Sequence, residues 1–423
     1  MRSSRSILGR FTLLTTANVI AAAMNVLLML VVVKEYGDIA LGDTTLALTL
    51  LTYALLLATG GTEVYPVTRV ASAPTELRPM LSSIVAVRLA SAVPVYAVML
   101  AITFLVPQFR DLKLLVALFG LSVFVSAINL TWLTQSLHRT DVLAAVKGVT
   151  PTLNIILLLA MAKGMGWGLW TVPVSKVIAE AAVAIALIGW GMVATGPMVA
   201  PMPLRELWVI VRDGMPIGGT LLLRGLALAS DILILGLFTN FVSGHDVGHY
   251  SAAYRIFTQL LGLGMGYFVI LLPRVAECAR ISGPAMAQEI SHSMKRIMPP
   301  AFAGLALLLV IASPMMRVFG PDFVSASNAL RLLGLAFVAN FVRQHYRQVL
   351  LSRGLQSTDL AQTAVGSIVS VGSKFALVPV MGINGAALGT LIGEVVLLAL
   401  QWRSADREMT EFSTPIAASA GAS

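Results

Sequence analysis

One cysteine, Cys278, stands in a chain of 423 residues, which excludes an internal disulfide framework. Charge is scarce as well. Asp, Glu, Lys and Arg make up 12% of the sequence, about half the roughly 25% of soluble domains. No G-x-x-x-x-G-K-[ST] loop is present, so the chain does not hydrolyse ATP through a phosphate-cradling loop. No Ser/His/Asp or Cys/His constellation stands out, so no catalytic residue is assigned and the chain is not expected to be an enzyme. No cofactor is expected either. The short alternating segments of a transmembrane barrel are missing.

Apolar residues dominate instead. They make up 57%, arranged in long continuous runs that predict an all-α, polytopic membrane protein. Twelve spans are expected, near 11–33, 44–66, 80–106, 113–137, 142–162, 167–194, 215–240, 248–272, 297–319, 325–351, 358–380 and 383–402. Each is long enough to cross a hydrocarbon core of about 30 Å at about 1.5 Å per residue. The N-terminal MRSSRSILGR and the run behind it mimic a secretory signal. The run from Phe11 to Val33 is longer than a signal core, however, and has a counterpart in the second half.

The two halves resemble each other. LGDTTLALTLLTY from Leu41 matches VGHYSAAYRIFTQ from Val247, pairing Gly42 with Gly248 and Thr52 with Thr258. Arg69-Val70-Ala71 matches Arg274-Val275-Ala276, Thr140-Asp141 matches Thr358-Asp359, and Glu180 matches Glu394. The order of these matches along the chain predicts an internal repeat. Six spans return the chain to its starting side, so the repeat is parallel, with a cavity expected between two six-helix lobes. The expected divisions are an N-lobe over 1–195, an inter-lobe linker over 196–213, a C-lobe over 214–403 and a disordered tail over 404–423. The connection ECARISGPAMAQEISHSMK reads as an amphipathic helix along the membrane surface, with an ordinary solvated loop helix as the alternative. Fifteen Lys and Arg fall in connections on the N-terminal side, against Lys34, Arg110, Lys113, Lys163 and Arg317 on the other. Both termini are therefore expected on the cytoplasmic side. The net charge of +9 fits cytoplasmic loops near anionic lipid headgroups, not nucleic acid.

Charges inside spans are expensive and have to be explained singly. The cations are Arg88, Lys147, Lys176, Arg224, Arg255, Arg331, Arg343, Arg347 and Lys374; the acids are Glu63, Glu180, Asp231 and Glu394. The positive surplus calls for an anionic ligand or for escape to the interface. Arg347 is expected to snorkel, with Lys147 and Arg343 open to the same reading. Lys176 and Glu180, four apart, read as a structural pair. Arg224 and Asp231 share a helix face about 10 Å apart along the axis, a separation that suggests a cavity-lining stripe. Arg88 and Arg255 sit mid-span, where snorkelling is hardest. His245-Asp246-x-x-His249 has metal-like spacing but falls in a short turn, and no metal site is assigned. Gly262-x-Gly264-x-Gly266 lies in an apolar span and reads as close helix packing.

Three stretches carry a resemblance. Gly248-His-Tyr-Ser-Ala-Ala-Tyr-Arg255, followed by an apolar run ending Leu-Pro273-Arg-Val-Ala, resembles the eighth span of polysaccharide-export (Wzx-type) flippases of the multidrug/oligosaccharidyl-lipid/polysaccharide (MOP) superfamily. Asn129-Leu-Thr-Trp132-Leu-Thr-Gln135 resembles their fourth span. Gly382-Ile-Asn-Gly-Ala-Ala-Leu388 with Glu394 resembles the entry to their last common span. The resemblance covers the chain from about Arg10 to Trp402 and implies a V of two bundles working by alternating access. It implies an undecaprenyl-diphosphate-linked oligosaccharide as substrate in a bacterial inner membrane, with surface polysaccharide (O-antigen, capsule or exopolysaccharide) as the product it serves. A polysaccharide polymerase and glycosyltransferases are the implied functional partners. Arg88, Arg224, Arg255, Lys176 and Lys374 are then the candidates for the diphosphate, and Glu63, Glu180, Asp231 and Glu394 for ion coupling. Many relatives have fourteen spans, two more than are counted here. The alternatives are a multidrug antiporter of the same superfamily, a lipid II flippase, and a membrane-embedded polymerase or acyltransferase. An excess of cations is poorly suited to a cationic drug. The basic motif expected of a major-facilitator protein is missing from Thr68 to Met80.

Overall fold

The computed structural model describes residues 7–62, 77–137, 139–165, 168–196 and 204–411. Its helices are α1 Ile7–Tyr36, α2 Asp38–Thr59, α3 Leu77–Leu105, α4 Lys113–Ile128, α5 Thr131–Ser136, α6 Thr140–Met165, α7 Thr171–Thr195 and α8 Leu204–Leu237, then α9 Gly244–Ala279, α10 Gly283–Arg317, α11 Ser327–Ser352, α12 Gln356–Met381 and α13 Ile383–Glu411. No strand occurs among the described residues. Among the described residues ten helical segments are long and apolar enough to cross a membrane. The expected spans near 215–240 and 248–272 fall in α8 and α9, continuous helices of 34 and 36 residues. At about 1.5 Å per residue each exceeds a hydrocarbon core of about 30 Å. The chain divides into two compact units, Met1–Leu237 and Phe238–Ser423.

In the first unit α2 is the central helix, with two-thirds of its span buried. Two of its buried threonines satisfy their hydroxyls within the helix: Thr45 and Thr49 donate to the carbonyls of Leu41 and Thr45, each at 2.8 Å. Helix α8 lies directly on α2. A Cβ at Gly218 would stand 2.6 Å from the Gly60 carbonyl carbon, one at Gly225 2.3 Å from Leu56 and one at Gly236 2.5 Å from Leu46. These three glycines share a face and let the backbones approach. The span expected to open the second lobe at Gly214 thus packs in the first unit. From Leu204 on, the expected linker is already part of α8.

In the second unit α11 is the central helix, packed by α9, α10 and α13. Phe268, Leu271 and Val275 of α9, Met286 and Ile290 of α10, and Phe341 and Val349 of α11 form one apolar core with Ala405 of α13. Met286 and Ile290 belong to the stretch expected to lie apart along the membrane surface. It is instead the first turns of α10, continuous with the following span, because its apolar face is covered by α9 and α11. The tail differs as well. Helix α13 continues to Glu411, since Ala405 is fully buried and Glu408 pairs with Arg353 at 2.9 Å. The polar composition of 404–411 hides these two anchors.

Helices α12 and α13 meet through a glycine stripe. Gly385, Gly389 and Gly393 repeat every fourth residue. A Cβ at Gly385 would lie 2.4 Å from the Leu377 carbonyl oxygen, one at Gly389 2.5 Å from Lys374 Cγ and one at Gly393 2.4 Å from Ser370 Cβ. Small residues at this spacing let dispersion act where lipid removes the hydrophobic drive between helices.

Buried charges then tie α11 to both. Arg343 Nε donates to Glu394 Oε2 at 3.0 Å and its Nη1 to Gln401 Oε1 at 3.3 Å. Arg347 Nε lies 3.1 Å from both oxygens of Asp359, and Gln401 Nε2 donates to Asp359 at 2.8 Å. Asn340 Nδ2 reaches the second oxygen of Glu394 at 3.1 Å. Neither arginine snorkels. Asp359, in the first turn of α12, supplies a carboxylate that the sequence count of intramembrane acids leaves out.

Gly385→Leu is expected to lower the stability of the purified protein by about 1–3 kcal/mol, because a backbone carbonyl stands in the way. Thermal unfolding in detergent measures it. Asp359→Ala should cost about 3–5 kcal/mol by leaving the largely buried Arg347 without its carboxylate, while Arg347→Met combined with Asp359→Leu should recover most of that loss. An equal loss in single and double variants would refute the pair's role.

Candidate functional site: a polar cavity in the first unit

Helices α1, α6 and α7 of the first unit enclose a cavity of about 250 Å³ lined by Ala21, Asn25, Lys147, Thr150, Pro151, Asn154, Lys176 and Glu180. A second cavity of about 130 Å³ shares Thr150 and Glu180 and extends past Ser122, Ser126 and Asn129. Lys176 and Glu180 are joined in an ion pair, as their i,i+4 spacing on α7 predicts. Lys147 Nζ donates to Asn18 Oδ1 at 3.1 Å. Ser175 Oγ and Asn154 Oδ1 lie 2.9 Å apart. Ser122 Oγ is buried without a hydrogen-bond partner among the described residues. Pro151 has no N–H to give the Lys147 carbonyl one turn back, so that acceptor is released from the helix ladder. The wall is therefore rich in amides and hydroxyls, with two ammonium groups against one carboxylate. Such a set suits an anionic, oxygen-rich group, to which an ammonium gives a charge-assisted bond of about 1.5–3 kcal/mol.

The floor of this region is a broken helix. The fourth expected span, 113–137, is two helices: α4 ends at Ile128, Asn129 is extended (φ −74°, ψ 122°) and α5 starts at Thr131. The Asn129 side chain accepts from the Thr131 N–H at 2.9 Å, an Asx turn that leads the chain into the restart. The break also frees carbonyls, and Arg88 of α3 takes them. Its Nη1 donates to the Ser126 and Asn129 carbonyls, each at 3.4 Å, and its Nε to Thr62 Oγ1 at 2.7 Å. Cations and the negative end of a helix stabilise each other, so a guanidinium only 2% exposed is accommodated mid-span.

The other sequence candidates are spread over both units. Asp231, on α8 in the first unit, is fully buried. Arg224 lies on α8, its side chain outside the described residues, and Glu63 also lies outside them. In the second unit Arg255 is half-buried on α9. Lys374 is fully buried on α12, its stem laid across Gly389. Glu394 is held by Arg343 and Asn340 in the network described above. Of the nine candidates, Lys176 and Glu180 come together in a cavity, and Arg88 holds the broken helix beside it. Sequence reasoning missed Lys147, Asn25 and Asn154 as cavity residues. The signal was there, since asparagines in apolar spans cost free energy unless they meet protein or water. The histidine motif has a local role: Ser243 Oγ accepts from the Asp246 N–H at 3.1 Å, Asp246 returns a bond to the Ser243 N–H, and together they cap α9. His249 Nδ1 meets Ser325 Oγ at 2.9 Å. Burial, with Glu289 and Glu277 nearby, pushes the thiol of Cys278 up and away from nucleophilic chemistry.

The structure is similar to the lipid II flippase MurJ in its inward closed conformation, with a TM-score of 0.78, 13% identity, and coverage of 95% of this chain and 88% of that one. It is also similar to an inward-facing multidrug resistance MATE family transporter of the MOP superfamily, with a TM-score of 0.66, 14% identity, and coverage of 97% and 96%. The Vibrio cholerae MATE transporter VcmN gives a TM-score of 0.61 at 14% identity, covering 94% and 96%. No curated protein matches the sequence. Residues 7–278 match the family described as polysaccharide biosynthesis protein. That match spans more than half of the chain and takes in the whole of the first unit's described cavity, so the chain, whose fold is like those of these solved structures, belongs to the polysaccharide biosynthesis protein family.

Proposed function

We propose that the protein is a flippase that carries an undecaprenyl-diphosphate-linked oligosaccharide across the bacterial inner membrane for the synthesis of surface polysaccharide. It works by alternating access of two lobes, with both termini in the cytoplasm. The observation that carries this reading is the cavity of the first unit, where Lys147 and Lys176 face a single carboxylate in a chain of this family. The diphosphate accepts from these ammonium groups and from the surrounding amides and hydroxyls, while the polyprenyl tail stays in lipid. Arg224, Arg255 and Lys374 remain candidates for contact with the diphosphate elsewhere on its path. Arg88 contributes by holding the broken fourth span in shape. Glu180, Asp231, Glu63 and Glu394 are the candidates for ion coupling. Glu180 lines the described cavity. Glycosyltransferases act before the flip and a polymerase after it, and neither needs to touch this chain.

A multidrug-export reading fits less well, because a cationic drug would meet two ammonium groups and a carboxylate already paired with one of them. The first test deletes the gene and measures the pool of lipid-linked repeat unit, its leaflet, and polymer at the cell surface. Accumulation of the repeat unit in the cytoplasmic leaflet, with polymer lost and restored by the wild-type gene, is the expected result. An unchanged pool and normal polymer sink the reading. Accumulation in the outer leaflet assigns the defect to polymerisation.

The site itself is tested by Lys176→Ala and Lys147→Ala. Each is expected to cut export about 10–100-fold, the worth of one charge-assisted hydrogen bond, with the amount of protein in the membrane unchanged. Full complementation by the double variant removes the cavity from the mechanism.

A further inference from the structure

Where α9 and α10 of the second unit run side by side, a small cleft of about 40 Å³ opens among Tyr267, Arg274, Glu289, His292, Ser293 and Arg296. We propose that it is a headgroup site for an anionic phospholipid, whose phosphodiester is gripped between the guanidinium groups of Arg274 and Arg296. The site belongs wholly to the second unit and does not depend on what the protein transports.

Its level in the membrane follows from the sequence of the two helices. The apolar run of α9 ends at Pro273, one residue before Arg274. That of α10 begins at Ile297, one residue after Arg296. Both arginines thus mark the height at which hydrocarbon gives way to lipid phosphate. The floor of the cleft is fixed. Tyr267 Oη and Ser293 Oγ are hydrogen-bonded at 2.6 Å, Ser293 is 4% exposed, and the Tyr267 ring packs edge-on against Phe268. The rim is charged and uncommitted. Two guanidiniums stand against one carboxylate, Glu289. Arg274, Arg296, Glu289 and His292 form no side-chain hydrogen bond or ion pair among the described residues. By contrast Arg343, Arg347 and Arg353 of the neighbouring helix region all have carboxylate partners. Two free guanidinium forks suit a phosphodiester, which accepts bidentate bonds from each.

A lipid fits better than free phosphate because the cleft continues into an apolar shelf. From Arg296 along the same face of α10 come Pro300, Ala303 and Leu307, all exposed. Exposed apolar side chains below a phosphate grip are the surface that an acyl chain covers.

Native mass spectrometry of the full-length protein in detergent, with equal amounts of phosphatidylglycerol and phosphatidylcholine, provides the test. Phosphatidylglycerol is expected to be retained about tenfold over phosphatidylcholine, and the double variant Arg274→Gln, Arg296→Gln should bring the two within about twofold. Glu289→Gln moves the balance the other way and should strengthen retention, a change that misfolding would not produce. Equal retention of both lipids by the wild type overturns the proposal, as does an undiminished preference in the double variant. Displacement of phosphatidylglycerol by excess inorganic phosphate would assign the cleft to a small anion and overturn the lipid reading. Both arginines are exposed and unpaired, so unchanged thermal unfolding of the variants without lipid is expected.

Discussion

A charge in hydrocarbon must find a partner, and most of this protein's organisation follows from that demand. An unpaired Lys or Arg at the centre of a span costs at least about 2.5–3.5 kcal/mol, so each intramembrane cation is a constraint on where its helix can go. Arg343 and Arg347, one turn apart on α11, find Glu394 on α13 and Asp359 on α12. Three helices are thereby set in register by two pairs. Gln401 bridges the two pairs, accepting from one arginine and donating to the other's carboxylate. Arg331 solves the same problem with the Leu309 carbonyl, Asn328 and Ser313. The glycine stripe of α13 belongs to the same solution. Helices linked by short side-chain bonds have to approach closely, and Gly385, Gly389 and Gly393 allow it.

The two units use their polar residues differently. In the second, the paired charges of α11–α13 are closed on themselves and buried, an arrangement that fixes structure. In the first, Lys147, Lys176 and Glu180 open on a cavity whose walls include a buried hydroxyl with nothing to bond among the described residues. Polar groups that are unsatisfied or half-satisfied mark the place where a ligand or water completes the bonding. A proline in α6 releases one carbonyl from its helix in the same region, and the break in the fourth span presents others that Arg88 takes. Backbone left unpaired at membrane depth is tolerated where it meets protein or lines a cavity.

The helices, their order and the membrane class were legible in the sequence because an apolar run of about 20 residues matches the thickness of a bilayer and is rare in water-soluble folds. The Lys176–Glu180 pair was legible because i,i+4 neighbours meet on any helix. Long-range partners were not. Nothing in the local sequence of Arg347 points to Asp359, which stands at the very edge of the expected span 358–380 and is left out of the count of intramembrane acids, although α12 begins before it at Gln356. The surplus of positive charge was overcounted for that reason. The break at Asn129 was hidden because a single extended residue leaves hydropathy unchanged. The helical extension to Glu411 was hidden because two anchors, Ala405 and Glu408, sit in a polar stretch. The two halves of the sequence share one further detail: each has a 3₁₀ turn immediately before the fourth of its expected spans, Pro107–Leu112 and Asp322–Ala326, each with a buried phenylalanine.

Arg88 reaches main-chain oxygens of residues 126 and 129 through Nη1, while its Nε takes a side chain, Thr62 Oγ1. A carbonyl is supplied by every amino acid, so the side chains at those two positions can drift without releasing the guanidinium. These two carbonyl contacts therefore tie position 88 to no particular side chain at 126 or 129. In evolutionary terms, the Nη1 grip asks for a guanidinium at position 88 and for main chain alone at the other end, whereas the Nε bond asks for a hydroxyl at Thr62. A family can then vary the wall of the cavity around Ser126 while the broken helix behind it keeps its shape.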